Sequence, residues 1–257
     1  MKILVKLGGT LLDDPASKSN LCSQIARLHA SAGQVTVVHG GGKQMTRFLT
    51  ERGVESKFVN GLRVTSPDVV DALLKVFTGS VNKELASALV AAGVLAVGIS
   101  GIDAALAEAE QFNPELGQVG RISKVNPEIL DTLCAAGFLP VVACVAGDRS
   151  GAIYNVNADQ MAVACAAGWG ADKLFFLTDV DGVRGAGGTP LAGLSSSAAQ
   201  ALVRDGIATG GMQAKLNAAC EALENGVAEV VIAPGAAAGI LDALWSGQAA
   251  GTRLYKG

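Results

Sequence analysis

The sequence predicts an α/β fold built on a doubly wound parallel sheet, and three observations predict it. Six short runs, "KILVKLGG", "VTVVHGGG", "LAVGISG", "LPVVACVAG", "LFFLTDVDG" and "EVVIAPG", are mostly near-continuously apolar, the pattern of parallel strands covered on both faces. Longer alanine-rich segments of helical character separate them, and strand–helix alternation implies parallel pairing. Nearly every run ends in glycine. In a parallel sheet those ends share one edge, the edge at which open α/β sheets bind ligands.

The elements follow in order. The first strand carries Lys6 inside an apolar run, one residue before Leu7-Gly8-Gly9. A cation there is costly unless it meets an anion or water; the alternative is an edge-strand lysine that snorkels to solvent. A helix is expected over Ser17–Ser31. The second strand enters "HGGGKQM", which looks like a phosphate loop but is not a Walker motif. That motif needs G-x4-G-K-[ST], whereas Val37 holds the first glycine position and Gln44 the Ser/Thr position. Gly40-Gly41-Gly42 then forms either an anion nest ahead of a helix over Met45–Arg52 or a plain tight turn. "VESKFVNGLRVT" (54–65) reads as a β-hairpin, and helices are expected over Pro67–Phe77 and Lys83–Ala91. The stretch 103–125 is a polar, hairpin-like insertion, and a helix over Pro127–Ala136 follows it.

Further along, "YNVNADQMA" (154–162) sets Asn155, Asn157 and Asp159 at the entrance to an apolar helix over Ala158–Ala167. A simple N-cap by Asn157 or Asp159 explains the stretch when it is judged alone. "LTDVDGV" places Asp179 and Asp181 after a strand, where a turn also accounts for them. After a helix over Ser195–Asp205, "IATGGMQAKLNAA" puts Thr209-Gly210-Gly211 ahead of a helix over Met212–Asn225, with Lys215 near its start. The helix dipole disfavours a cation there, so Lys215 faces either a local anion or bulk water.

Composition bounds the function. The 257 residues are 50% hydrophobic and include 33 glycines, enough for a sizeable core with many tight turns. Aromatics at 4%, a net charge of −3 and the lack of any basic run speak against nucleic acid as a partner. No apolar run reaches membrane-spanning length, and the start "MKILVKLGGTLL" does not have the form of a signal peptide. Five scattered cysteines without a C-x-x-C pair suit buried thiols in a reducing cytoplasm. Two histidines make no metal cluster, and nucleophile-elbow and dinucleotide fingerprints are missing. What remains is an anion site: two lysines, several glycine nests and an aspartate able to tie the lysines in place. Phosphoryl transfer fits, because its catalysis is mostly positioning and charge stabilisation. A carboxylate acceptor is already ionised at pH 7 and needs no general base.

The stretches "VKLGGTLL", "VVHGGGKQM", "NGLRVTSPDVVD", "VNKELASALVAAG", "ELGQVGRI", "LPVVACVAGDRSGAIYNVNADQMA", "LTDVDGV" and "GGMQAKLNAA" resemble the amino acid kinase family over essentially the whole chain. "NGLRVT" and "NVNADQ" point within it to the branch acting on N-acetyl-L-glutamate. The resemblance implies an αβα sandwich with a mainly parallel open central sheet. It implies an acceptor-binding and dimerisation lobe over 1–172 and a nucleotide-binding lobe over 173–257. The implied reaction moves a phosphoryl group from ATP, with Mg²⁺ on its phosphates, to the side-chain carboxylate of N-acetyl-L-glutamate, a step of arginine biosynthesis. The alternative is a kinase of the same family acting on carrier-bound glutamate or aminoadipate.

Residue by residue, the resemblance makes Lys6 and Lys215 the catalytic cations and Asp159 the group that orients them. Gly41, Gly42, Arg63 and Asn155 hold the acceptor, with Arg63 on its α-carboxylate and Asn155 at its acetylated amine. Gly8 and Gly9, the run Asp179, Val180, Asp181, Gly182, Val183 and Arg184, and then Ile207, Ala208, Thr209 and Gly211 contact the nucleotide. A cytoplasmic homodimer is implied, pairing through the helix near Ser66–Phe77. There Val69, Val70, Leu73, Leu74 and Phe77 offer more apolar surface than one covered face requires, unless the helix is buried in its own lobe. The chain departs from relatives in "GISGIDAA" (98–105), where Ile102 replaces a lysine and Ala104 a glycine. Arginine-inhibited relatives carry a helix before the first strand; here the strand starts at Lys2, which implies insensitivity to arginine.

Overall fold

A computed structural model describes every residue from Met1 to Gly257. From the N-terminus, β1 (Lys2–Leu7) leads into α1 (Gly9–Asp13), α2 (Pro15–Ala32), β2 (Gln34–His39) and α3 (Gly42–Thr50). The hairpin β3 (Phe58–Val59) and β4 (Leu62–Arg63) precedes α4 (Pro67–Leu73), a π-helical stretch (Leu74–Val81) and α5 (Asn82–Ala91). Next come β5 (Ala96–Ser100), β6 (Ala107–Gln111), β7 (Gly120–Val125), α6 (Glu128–Ala135), β8 (Leu139–Ala143), β9 (Val145–Gly147), β10 (Ile153–Asn155) and α7 (Ala158–Trp169). The chain ends with β11 (Lys173–Thr178), β12 (Gly193–Ser195), α8 (Ser196–Arg204), α9 (Gly210–Glu224), β13 (Glu229–Pro234), α10 (Ile240–Trp245) and β14 (Thr252–Tyr255).

Eight strands form the central sheet in the order β12-β14-β13-β11-β1-β2-β8-β5. Six run parallel; β14 is antiparallel to β13, and β12 follows β14. The apolar runs are the parallel strands because helices cover both faces: α2, α5 and α10 on one side, α6, α7 and α9 on the other. The expected αβα sandwich is therefore present, and β1 lies at its centre between β2 and β11. A second sheet, β10-β9-β6-β7, sits above the first and includes the insertion over 103–125, paired as an antiparallel hairpin.

Local chemistry sets the element ends. Asp14 accepts a hydrogen bond from the Ser17 amide, Pro15 opens α2, and Gly33 closes it at φ 80°. Asn60 and Gly61 both have positive φ, the requirement of the two-residue turn that fits the twist of a hairpin. Two expectations need correction. The helices expected over Pro67–Phe77 and Lys83–Ala91 are one continuous rod, because Thr78-Gly79-Ser80 is carried through as π-helix instead of breaking it. "LPVVACVAG" is two strands, β8 in the main sheet and β9 in the small one, and the chain changes sheet at Cys144. On the rod, Val69, Leu73 and Phe77 are buried in their own lobe and Val70 and Leu74 are half-buried, so the surplus apolar surface expected there is absent. All five cysteines are buried free thiols.

Candidate active site

Lys6 is one residue from the end of β1, in register with Val38 on β2 and Phe176 on β11. At the sheet centre it has no route to snorkel, and it is only 6% exposed. Its counter-ion is Asp159, second residue of α7, with Nζ 2.5 Å from Oδ1. The N-cap of α7 is Asn157, whose side chain accepts from the amides of Asp159 and Gln160. That cap aims the first turn at β1, and the helix dipole favours a carboxylate there. Lys215 reaches the other oxygen, Oδ2, from α9 at 3.5 Å. A hydrogen bond from Gln160 Nε2 to Glu221 (3.1 Å) ties α7 to α9 and helps hold Lys215 in place. Burial alone pushes the Asp159 carboxyl up, but the two lysine charges outweigh it and hold it below the usual range. Two ammonium groups thus share one carboxylate, leaving a net positive charge at the carboxyl end of the central strand.

Beside this cluster a cavity of about 160 Å³ is lined by Gly40–Gly42, Arg63, Asn155 and Asn157, with Phe58, Phe77 and Cys144 among its apolar walls. Arg63 is 7% exposed and makes no ion pair. It donates to Ser56 Oγ, to the Gly42 carbonyl (3.1 Å) and to Thr46 Oγ1 (2.8 Å), and stacks on Phe58. A guanidinium has five N–H donors, so two remain for a ligand. Asn155 is oriented by elimination. The Thr65 hydroxyl donates to the Arg63 carbonyl (2.8 Å), so it accepts from Asn155 Nδ2 (3.0 Å), which leaves Asn155 Oδ1 as a free acceptor. Gly41 is glycine because a Cβ there would lie 2.9 Å from the Phe77 ring. A Cβ at Gly42 would meet nothing within 4 Å. Cys144 is no nucleophile, since burial pushes its thiol up to about 12.

Gly8 and Gly9 connect the two halves. The Gly8 amide bonds the Leu177 carbonyl on β11 (3.0 Å), and a Cβ on Gly9 would lie 3.5 Å from the Gly42 amide nitrogen. Of the C-terminal segments, the loop over Asp179–Arg184 follows β11. Val183 is buried and its amide donates to Thr252 Oγ1 (2.8 Å), while Val180 and both aspartates are exposed. Gly182, at φ 141°, would clash with Thr252 if it carried a Cβ. Arg184 is committed to Asp181 (3.6 Å) and the Gly188 carbonyl. Ile207 is exposed and Ala208 buried. Thr209 is the N-cap of α9 but its side chain caps nothing, so the first amides of α9 stand open. Gly210 and Gly211 are the first residues of α9, which places Lys215 in the second turn and not the first.

The model of the amino acid kinase family matches residues 1–234. The chain belongs to the amino acid kinase family. Among members of that family, it is 62% identical over 254 residues to an acetylglutamate kinase of Solibacter usitatus, covering 99% of each chain. It is 43% identical to an acetylglutamate kinase of Koribacter versatilis, over 99% of this chain and 98% of the relative. Among solved structures it resembles N-acetylglutamate synthase from Neisseria gonorrhoeae in complex with coenzyme A and N-acetyl-glutamate, with a TM-score of 0.88 and 26% identity. That match covers all of this chain and 59% of the synthase. Several residues of this candidate site are not legible in the sequence. Thr46 and Ser56 hold Arg63, Thr65 turns Asn155, and Phe77 backs Gly41. They are ordinary residue types whose roles exist only through contacts distant in sequence.

Proposed function

We propose that the chain catalyses transfer of the terminal phosphoryl group of ATP to the side-chain carboxylate of N-acetyl-L-glutamate, a step of arginine biosynthesis in the cytoplasm. The observation that carries this is Arg63: a buried guanidinium with no carboxylate of the protein beside it, facing a small cavity that ends near the Lys6–Asp159–Lys215 cluster. The names of the relatives support the acceptor. Arg63 pairs with the α-carboxylate through its two uncommitted N–H groups. Asn155 Oδ1 accepts from the acetamido N–H. Gly41 and Gly42 present their amides to the reacting carboxylate, which is ionised at pH 7 and attacks without a base. Lys6 and Lys215 stabilise the charge on the moving phosphoryl group, and Asp159 keeps them apart and aimed.

The nucleotide lies over the loop Asp179–Arg184 and the segment Ile207–Gly211 of the C-terminal half, with its phosphates reaching Gly8–Gly9 at the junction with the first half. The open amides of α9 suit phosphate, and the exposed Val180 and Ile207 suit an apolar base. Residues 1–172 then serve as the acceptor lobe and 173–257 as the nucleotide lobe. No cluster of three or more His, Cys, Asp or Glu side chains could hold a metal. The residues therefore fit Mg²⁺ as an ion carried by ATP phosphates and water; it would add charge neutralisation between those phosphates. No helix is long and apolar enough to cross a membrane. A twofold homodimer is supported by the uncovered edge strand β5, flanked by exposed Val90 and Leu95. The test is ADP release with N-acetylglutamate, glutamate, aspartate and uridylate in parallel. N-acetylglutamate alone is expected to support turnover, and faster turnover of another acceptor would overturn the assignment.

A further inference from the structure

His39 ends β2, is fully buried, and precedes the three glycines. Its ring nitrogens have different partners. Nδ1 lies 2.8 Å from the carbonyl oxygen of Gly40, and Nε2 lies 2.9 Å from Asn82 Nδ2. A carbonyl only accepts, so Nδ1 carries the proton. Asn82 Nδ2 also faces the carbonyls of Val141 (2.9 Å) and Ile99 (3.3 Å). An atom surrounded by acceptors is the amide nitrogen, so Asn82 donates and Nε2 carries no proton. The two assignments lock one neutral tautomer, and burial, which pushes this imidazole down to about 4, acts in the same direction.

The consequence lies in the next peptide. There are no cis bonds, and a trans peptide sets its C=O and N–H on opposite sides. With the Gly40 oxygen drawn to the His39 ring, the Gly41 N–H points the other way. Gly41 is buried and lines the cavity, yet its N–H donates to no group of the protein. Buried amides are almost always paired, so an unpaired one facing a cavity awaits an acceptor atom. Glycines on both sides of this peptide give it no side-chain resistance to rotation, and the Gly40 oxygen has no partner apart from His39. We propose that His39 is a positioning residue, which pins the Gly40–Gly41 peptide so that the Gly41 N–H faces the reacting carboxylate of the acceptor. Asn82 sets the tautomer that makes the pin possible.

The proposal rests on the assignment of the cavity to a carboxylate acceptor, and the experiment separates the two. His39→Leu removes the donor to Gly40. His39→Asn keeps it, because an asparagine amide nitrogen occupies the δ position, and Asn82 still has two carbonyls to satisfy it. Loss of one charge-assisted bond to the carboxylate is worth roughly 10- to 100-fold. In His39→Leu the KM for N-acetylglutamate should rise by about that factor, with the KM for ATP nearly unchanged; His39→Asn should recover most of the loss. Nitrogen NMR of the wild-type ring should show a neutral imidazole protonated at Nδ1. Equal loss in both variants, a parallel rise in both KM values, or a ring protonated at Nε2 would overturn the role of His39. If wild type instead turned over a different carboxylate, the acceptor assignment would fall, and the same pair of variants on that substrate would still decide the role of His39.

Discussion

At the scale of single residues, charge without a protein partner marks the site. Arg63 holds a buried positive charge with no carboxylate of the protein beside it; in the proposed function Arg63→Ala should raise the KM for N-acetylglutamate roughly 10- to 150-fold and leave the KM for ATP nearly unchanged, which steady-state kinetics with each substrate varied checks. The lysines differ in kind. Each already has Asp159 in the ground state, so their surplus charge matters most as the phosphoryl moves. Lys6→Ala and Lys215→Ala should lower kcat by about 10²–10³ with smaller effects on binding. A Lys215→Ala enzyme with normal kcat would mean that Lys215 is a bystander. His39 adds a pH dependence. Its folded value is about 4 against an ordinary 6.5, so between those values the unfolded chain binds a proton that the folded chain refuses. Stability is therefore lost as pH falls from about 6.5 towards 4, by up to about 1.4 kcal/mol per pH unit for one such group. Denaturant titrations at pH 7 and pH 5 should show a smaller loss in His39→Asn than in wild type. Residue identity made Lys6, Asp159 and Lys215 visible in the sequence, because charges beside apolar runs are conspicuous, whereas Arg63 entered only through the family resemblance. His39 and Asn82 were not visible as a pair, since a separation of 43 positions gives no sign that the two side chains meet.

At the scale of elements, strands were legible and interruptions were not. The six parallel strands announce themselves because burial on both faces demands continuous apolar runs. Edge strand β12 and its neighbour β14 are short and half-covered, so their residues carry no such signature. The sequence reads as two helices, Pro67–Phe77 and Lys83–Ala91, yet packing of Val76, Phe77 and Val81 carries one rod through the gap between them; tertiary burial overrides a weak local preference. The segment "GISGIDAA" shows the reverse, a local strain that packing tolerates. Ala104 sits at φ 51°, the left-handed region that costs an alanine about 1–2 kcal/mol. Ala104→Gly should remove that cost, partly offset by the greater freedom glycine has in the unfolded chain. The net gain of about 1 kcal/mol corresponds to a rise in Tm of about 2–4 °C for a chain of this size. In the middle of α7, Ala164→Gly should instead lower stability by about 1 kcal/mol. Calorimetry of the two variants side by side checks the sign of each; a destabilised Ala104→Gly would show that the turn is not strained.

At the scale of the whole molecule, the two lobes proposed from their binding roles are joined by one sheet. The sequence resemblance divides the chain at 172/173, and no linker of unusual composition marks that boundary. The reason is architectural: β1, from the first lobe, pairs along its length with β11, the first strand of the second. The buried apolar residues of both halves form a single contiguous core. Separating the lobes would expose both long edges of that junction, and unpaired strand edges and bared core are costly together. The proposed division is therefore one of binding roles, and the shared sheet and core make the chain a single folding unit. The two tryptophans report on it, since Trp169 ends α7 in the first lobe, with its Nε1 bonded to Asp131 (2.9 Å), and Trp245 ends α10 in the second. In Trp169→Phe and Trp245→Phe, each remaining tryptophan watches one lobe. Their fluorescence transitions in urea should coincide with each other and with the loss of helical circular dichroism, as two-state unfolding requires. Saturating ATP should shift both midpoints by the same amount, because a ligand that binds only the folded state stabilises everything that unfolds with its site. Separate midpoints, or a shift confined to the Trp245 signal, would make the lobes independent domains and would place a hinge at the β1–β11 junction.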